Sequence, residues 1–176
     1  MSEQQTEMLG GKNPVLEALR SGRELNKIWL AEGINKKSVG EIVALAQKAK
    51  VIVQYVPKKK LDQLVDANHQ GVVAAVAAYS YAELDDVFAL AAKRQEDPLI
   101  LILDELEDPH NLGSILRTAD ATGVHGIIIP RRRSVGLTAV VAKASTGAIE
   151  YVPVVRVNNL SQTVDQLKER GVWVAG

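Results

Sequence analysis

Residues 104–120 read Asp-Glu-Leu-Glu-Asp-Pro-His-Asn-Leu-Gly-Ser-Ile-Leu-Arg-Thr-Ala-Asp and hold the chain's densest set of groups able to do chemistry. They follow an apolar run, 99–103, and open into helical spacing. Pro109 fixes a turn, and Asn111 can cap the helix through its side-chain oxygen. Gly113 and Ser114 leave room for a ligand at the first turn. The N–H groups there lack intrahelical partners, so the position favours an anion. Leu112, Ile115, Leu116 and Ala119 make a core stripe. Arg117 falls outside it, on the face shared with Gly113 and Ala121, so its guanidinium can lie along the helix toward a bound group. The same residues also fit a purely structural role, with Asn111 as a cap and Arg117 paired to Asp120 at i,i+3 on a wet surface.

Two further clusters could touch phosphate: Lys58, Lys59 and Lys60, and Arg131, Arg132 and Arg133. Solvated loop charge explains each triplet equally well. The 21 basic and 21 acidic side chains balance, but unevenly: residues 1–80 carry eleven basic against eight acidic groups, 81–97 two against five, and 98–176 eight of each. The absence of cysteine excludes disulfides, thiolate metal sites and a cysteine nucleophile. His69, His110 and His125 are too scattered for a metal cage, so no metal is expected. Aromatic residues make up 4%, which limits base stacking to a few sites. A composition 47% apolar and 24% charged excludes a disordered chain. Residues 1–5 are polar with no basic segment before an apolar run, so no secretory leader is expected. The longest apolar runs fall well short of the ~20 residues of a membrane span. A cytoplasmic location without a membrane partner is expected.

The elements that must position these groups alternate between helix and strand. Asn13-Pro14 predicts a helix start, with the asparagine as cap and the proline at the first helical position. Val15, Leu16 and Leu19 then form its apolar face. Residues 27–31 read as a strand, 38–49 as a helix and 51–56 as a strand. Pro57 begins a helix with Leu61, Leu64 and Val65 inward, and Gly71 opens an apolar strand. This α-β-α-β-α-β order makes a compact α/β unit. Residues 79–97 read as an acidic helix, with 81–97 taken as a linker. A second unit follows, with strands at 99–103, 126–129, 152–155 and 172–175 and helices at 111–122, 137–146 and 160–170. The apolar 99–103 suits a parallel sheet covered on both faces. Ligand-binding loops follow the carboxyl ends of such strands, which places Arg131–Arg133 on the same side as the Asn111 loop. The last predicted strand has no covering helix and no loop after it.

The string Asn111-Leu-Gly-Ser-Ile-Leu-Arg-Thr-Ala119 after an apolar strand resembles the first motif of the SpoU/TrmH family of RNA 2′-O-ribose methyltransferases. Gly11-Lys12-Asn13-Pro14-Val15 and His69-Gln70-Gly71-Val72-Val73-Ala74 resemble the family's amino-terminal RNA-binding domain, itself similar to a ribosomal-protein module. Residues 127–130 and Ala142-Lys143-Ala144-Ser145-Thr146-Gly147-Ala148 match the family's continuation. The resemblance covers nearly the whole chain, and is strongest to bacterial enzymes that methylate a guanosine ribose in 23S ribosomal RNA. It implies an α/β fold with a small ribosomal-protein-like α/β domain at 1–80 and a parallel α/β domain of the knotted methyltransferase class at 98–176. It further implies S-adenosylmethionine as cofactor, ribosomal RNA as partner and a homodimer as the assembly of the complete enzyme.

By the same resemblance, Arg117 sits beside the 2′-hydroxyl and its phosphate, and Asn111 shapes the loop. An arginine stays protonated, so a positioning and electrostatic role is expected rather than that of general base. Its planar fork suits a phosphate and a ribose oxygen together. RNA contacts are expected from Lys12, Asn13, Lys58, Lys59, Lys60, His69, Gln70, Arg131, Arg132 and Arg133. His69 also fits a loop histidine bonded to nearby backbone. Two later family motifs, a glutamate between glycines and an asparagine–serine stretch, do not occur in the 176 residues. The expectation is therefore an incomplete methyltransferase domain, whose cofactor-binding residues come after Gly176 and not in this chain. The alternative is a non-catalytic protein that binds RNA or a partner. A nucleotide-binding α/β protein would need a glycine-rich phosphate fingerprint, which is absent.

Overall fold

Two sheets organise the chain, one in residues 1–78 and one in 79–176, in a computed structural model that describes residues 7–66 and 68–176. The polar start read at residues 1–5 lies outside the described residues.

The first unit runs β1 (Met8–Gly10), α1 (Lys12–Arg20), β2 (Leu25–Ala31), α2 (Lys36–Lys48), β3 (Val53–Val56), α3 (Lys58–Leu64) and β4 (Val72–Val76). The strand order is β1-β4-β2-β3, antiparallel except for the parallel β2–β3 pair. Alternate residues of the strands face opposite sides. Leu25, Ile28 and Leu30 pack with Val15 and Leu19 of α1 and Val39 and Ile42 of α2. On the other face, Ala31, Val56 and Val73 pack with Leu61 of α3. Burying Leu61 fully contributes about 1.5–3 kcal/mol and fastens this short helix to the sheet.

β1 was absent from the sequence reading, because three residues carry too little periodicity to register. The start of α1 also differs. Gly11, not Asn13, is the N-cap, and no side chain caps the helix. Pro14 still fits, since the first-turn N–H groups have no helical partners to lose.

The second unit runs α4 (Leu84–Arg94), β5 (Ile100–Ile102), α5 (Pro109–Thr122), β6 (Gly126–Pro130), α6 (Ala139–Ala144), a 3-10 turn (Ala148–Glu150), β7 (Val154–Val157) and α7 (Leu160–Glu169). β5, β6 and β7 form a parallel sheet in that order. Ile127, Ile129 and Val154 face α5 and α6, while Ile128 and Val155 face α4 and α7. Both sheet faces are thus covered, as the apolar strand sequences require.

Helix α4 corrects the linker expected at 81–97. It is shorter than expected and packs Val87 against Ile128, Val155 and Leu167 of the second unit. The fit depends on Gly126, where an added Cβ would lie 2.5 Å from a Val87 methyl. A second correction concerns 172–175, which forms no strand. Its composition favours β structure, but no described strand pairs with it, and β propensity without a ladder partner is insufficient. Val172 packs against the α4–α7 side of the sheet while Trp173 is 97% exposed. Among the described residues, no helix is long and apolar enough to cross a membrane.

Candidate active site

The start of α5 is set by Asp108 and Pro109. The Asp108 carboxylate accepts the His110 N–H at 2.8 Å, and Pro109 occupies the first turn. Asn111 is therefore not the cap. It lies exposed inside the first turn, because a carboxylate immediately before a proline already satisfies the helix start. Leu112, Leu116 and Ala119 are fully buried, and Ile115 packs beside them.

Gly113 also differs from expectation. It is buried, and an added Cβ would stand 2.4 Å from the Ala144 Cβ and 2.9 Å from the Ala144 carbonyl carbon. The missing side chain lets α6 approach α5 and leaves no opening for a ligand. Arg117 lies four residues on along this face and is exposed. The Asp120 pairing does not form: Arg117 has no hydrogen bond or ion pair among the described residues. Asn111 and Arg117 are six positions apart, so they diverge by roughly 120° around the helix and about 9 Å along it.

The loops after β5 and β6 are fastened together at the carboxyl edge of the sheet. Val135 N–H donates to the Leu106 carbonyl at 2.8 Å, and Arg133 Nη1 lies 3.7 Å from Glu105 Oε1. Glu105 and Arg133 both adopt left-handed backbone conformations, with φ of 53° and 52°. The arginine triplet thus borders the segment leading into α5. Arg131 N–H extends the sheet by donating to the Val157 carbonyl, and Arg132 is exposed. The sequence reading missed two residues that shape this edge. The Arg156 guanidinium stacks 3.6 Å from the Tyr81 ring centre, and the Tyr81 hydroxyl accepts the Leu137 N–H at 2.7 Å. The stack spans 75 positions, and no local pattern announces it.

In the first unit, Gly11 N–H donates to the Val72 carbonyl and an added Cβ on Gly10 would meet the His69 Cβ at 3.6 Å, so the segments holding Lys12–Asn13 and His69–Gln70 are neighbours. Asn13 and Gln70 are exposed and Lys12 is half-buried. His69 is 5% exposed: its Nδ1 accepts the Gly71 N–H at 3.0 Å, leaving Nε2 to donate to Asp62 at 2.8 Å. Both ring nitrogens serve the fold, which leaves none for RNA. Lys58, Lys59 and Lys60 form the exposed first turn of α3. The sequence reading also passed over Lys27 on the neighbouring β2. Its ammonium is held below the usual lysine range, first by burial and then by Lys60. No cluster of three potential metal-ligating side chains occurs among the described residues.

Residues 98–176 match the model of the SpoU rRNA Methylase family, and residues 8–82 match that of RNA 2′-O ribose methyltransferase substrate binding. The chain belongs to the SpoU rRNA methylase family. It is 60% identical over 173 residues to YacO of Bacillus subtilis, described as a TrmH family tRNA/rRNA methyltransferase, covering 98% of this chain and 70% of that one. A protein of the same description from Staphylococcus haemolyticus is 57% identical over 166 residues, covering 94% and 67%. Among solved structures, the SpoU methyltransferase AviRb of Streptomyces viridochromogenes, in complex with AdoMet, aligns with 24% identity and a TM-score of 0.45. That alignment covers 93% of this chain and 58% of AviRb, so the chain spans less than two thirds of that protein. The SpoU methylase match contains α5, Arg117 and the arginine loop, while α4 lies between the two matched regions.

Proposed function

We propose that the chain acts in S-adenosylmethionine-dependent 2′-O-ribose methylation of ribosomal RNA, with a guanosine of 23S RNA as target, in a cytoplasmic homodimer. The reading is carried by Arg117: on a helix whose other side is fully buried, inside the methylase match, it stands exposed with no carboxylate partner among the described residues. A structural arginine would be tied down, whereas this one is available to a substrate. Negative charge builds on the 2′-oxygen as its proton passes to water, and a guanidinium placed beside it stabilises that charge and holds the adjacent phosphate in line for the transfer. Arg117 cannot take the hydroxyl proton, because it is already protonated.

The donor would supply the methyl group. The described residues do not form a nucleoside cradle over α5, because the space above Gly113 is filled by Ala144. No residue of the chain is therefore assigned to the donor, and the step is argued from the RNA side alone. Asn111 shapes the exposed first turn, with Arg132 and Arg133 on the adjoining loop as phosphate contacts. Lys12, Asn13 and Gln70 form a second RNA-facing group in the first unit.

The test uses the gene product that carries this chain, isotopically labelled S-adenosylmethionine and 23S RNA lacking the modification. The expected result is one labelled guanosine whose 3′-phosphodiester resists alkaline cleavage. Label on a base overturns the proposed chemistry. RNA binding without any transfer establishes the non-catalytic alternative.

A further inference from the structure

We propose that the face of the first unit's sheet bearing Lys27 and Trp29, beside the lysines of α3, is a stacking site for unpaired RNA. A base would lie on Trp29 and its flanking phosphates against Lys27 and Lys60. This rests on the reading of the chain as an RNA-acting protein and names where a single-stranded part of the substrate would bind. Lys27 and Trp29 are two apart on β2, so they share the face opposite Ile28 and Leu30. Helix α3 covers this face around Ala31, Val56 and Val73, where Leu61 is buried, and Trp29 packs half-buried against that cluster. The row through Lys27 continues across Ala75, which is buried, to Met8, which packs against the α3 cluster.

Lys27, Lys58, Lys59 and Lys60 have no ion pair among the described residues. The one carboxylate of α3, Asp62, is engaged by His69 instead. Lys27 is partly desolvated, and Lys60 lies close enough to disfavour its charge further. The Lys27 ammonium is 5.6 Å from the Trp29 ring centre, so the approach to the ring carries a cation. An aromatic face next to unpaired cations is the arrangement that holds a strand by stacking and phosphate contact. A protein partner fits less well, since the patch offers little apolar area around one aromatic ring.

The experiment places Trp173→Phe in the full chain, which leaves Trp29 as the only tryptophan and removes a side chain that is 97% exposed. Single-stranded oligouridylate of about a dozen nucleotides is titrated while tryptophan emission is followed. Quenching that saturates with binding is expected. Trp29→Ala should weaken binding about 5- to 100-fold, and Lys27→Gln and Lys60→Gln should each lower the salt slope by about 0.7. Lys60→Glu, on the exposed side of α3, should weaken binding without changing the melting temperature and so controls for misfolding at Trp29. Oligouridylate binding with unchanged emission and slopes overturns the stacking site and leaves the RNA-acting reading standing. Equal quenching by a duplex of the same length overturns the unpaired-strand assignment. No binding of any RNA at low salt overturns both readings.

Discussion

The two cationic regions of this molecule are built in opposite ways. In the first unit, Lys27 lies near Lys60 with no ion pair among the described residues, and burial first and Lys60 second lower its affinity for a proton. In the second unit, two cations at the carboxyl edge of the sheet are held in place, Arg133 by Glu105 and Arg156 by the Tyr81 ring. Flexible ammonium groups attract phosphate without fixing its geometry, whereas a guanidinium locked against a ring or carboxylate builds structure. Charge density in the sequence therefore does not separate the two uses; the partners do. Arg117 breaks the pattern, as an arginine of the second unit with no hydrogen bond or ion pair among the described residues.

That exception gives the largest expected effect. Arg117→Ala should lower methyl transfer by about a hundredfold to a thousandfold, as for a lost oxyanion stabiliser, while stability changes by less than about 1 kcal/mol. Arg117→Lys should rescue poorly, since an ammonium cannot reproduce a forked contact. Single-turnover methylation compared with thermal melting checks both, and near-normal turnover in Arg117→Ala would return Arg117 to the surface.

Gly113→Ala comes next. Forcing a methyl group against Ala144 should destabilise by about 1–3 kcal/mol despite the better helix propensity of alanine. Ala144→Gly in the same chain should recover part of that loss, because the nearest atom is gone. Chemical denaturation of the two single variants and the double variant measures the coupling. Independent, additive losses would mean that α5 and α6 are not held at this point.

Glu105→Gln converts a held arginine into a free one. Its pair with Arg133 is exposed on both sides, so stability should change by less than about 1 kcal/mol. RNA affinity at low salt should rise, and the gain should vanish near 1 M salt, where screening acts within about 3 Å. A gain that persists in high salt would point to a rearranged loop.

The smallest effect concerns Lys27. Because its folded-state pKa lies below its unfolded value, the unfolded chain binds more protons between the two, and stability rises with pH across that alkaline window up to about 10.4. Lys27→Gln should abolish this rise and leave the neutral-pH melting temperature unchanged or slightly higher, while weakening RNA binding. A clear drop in melting temperature would show that the lysine stem, rather than its charge, matters there.

Much of the framework was legible because it is written in local patterns. The buried stripe of α5 follows from the spacing of Leu112, Leu116 and Ala119, and the parallel sheet from its unbroken apolar strands. Cap positions were less secure. The rule that a polar residue precedes a helical proline works at Asp108-Pro109 and fails at Asn13-Pro14, where the backbone turns at Gly11 and brings the proline in later. The true cap of α5, Asp108, stands directly before Pro109 in the sequence, but Asn111 is also a capping residue type three positions on, and residue type alone does not choose between them. Residues 172–175 were misread because strand propensity says nothing about a missing neighbour. The Lys27–Trp29 pair needed only the two-residue alternation of β2, but its tie to Lys60 and the Arg156–Tyr81 stack depend on long-range folding.

The contact between Gly113 and Ala144 makes α5 and α6 behave as meshed gears rather than as separate rods. With the Ala144 methyl and main chain resting against the α5 backbone, a roll or slide of either helix at this point presses on the other. The segment 131–138 joins β6 to α6, and it is also fastened to the loop before α5 through Val135 and Leu106. A phosphate that pulled on Arg132 or Arg133 would strain that segment, turn α6, and through Ala144 swing the helix that carries Arg117. Substrate capture at the arginine loop would then aim the guanidinium about one turn beyond that contact, by mechanical transmission through a place where a side chain is missing.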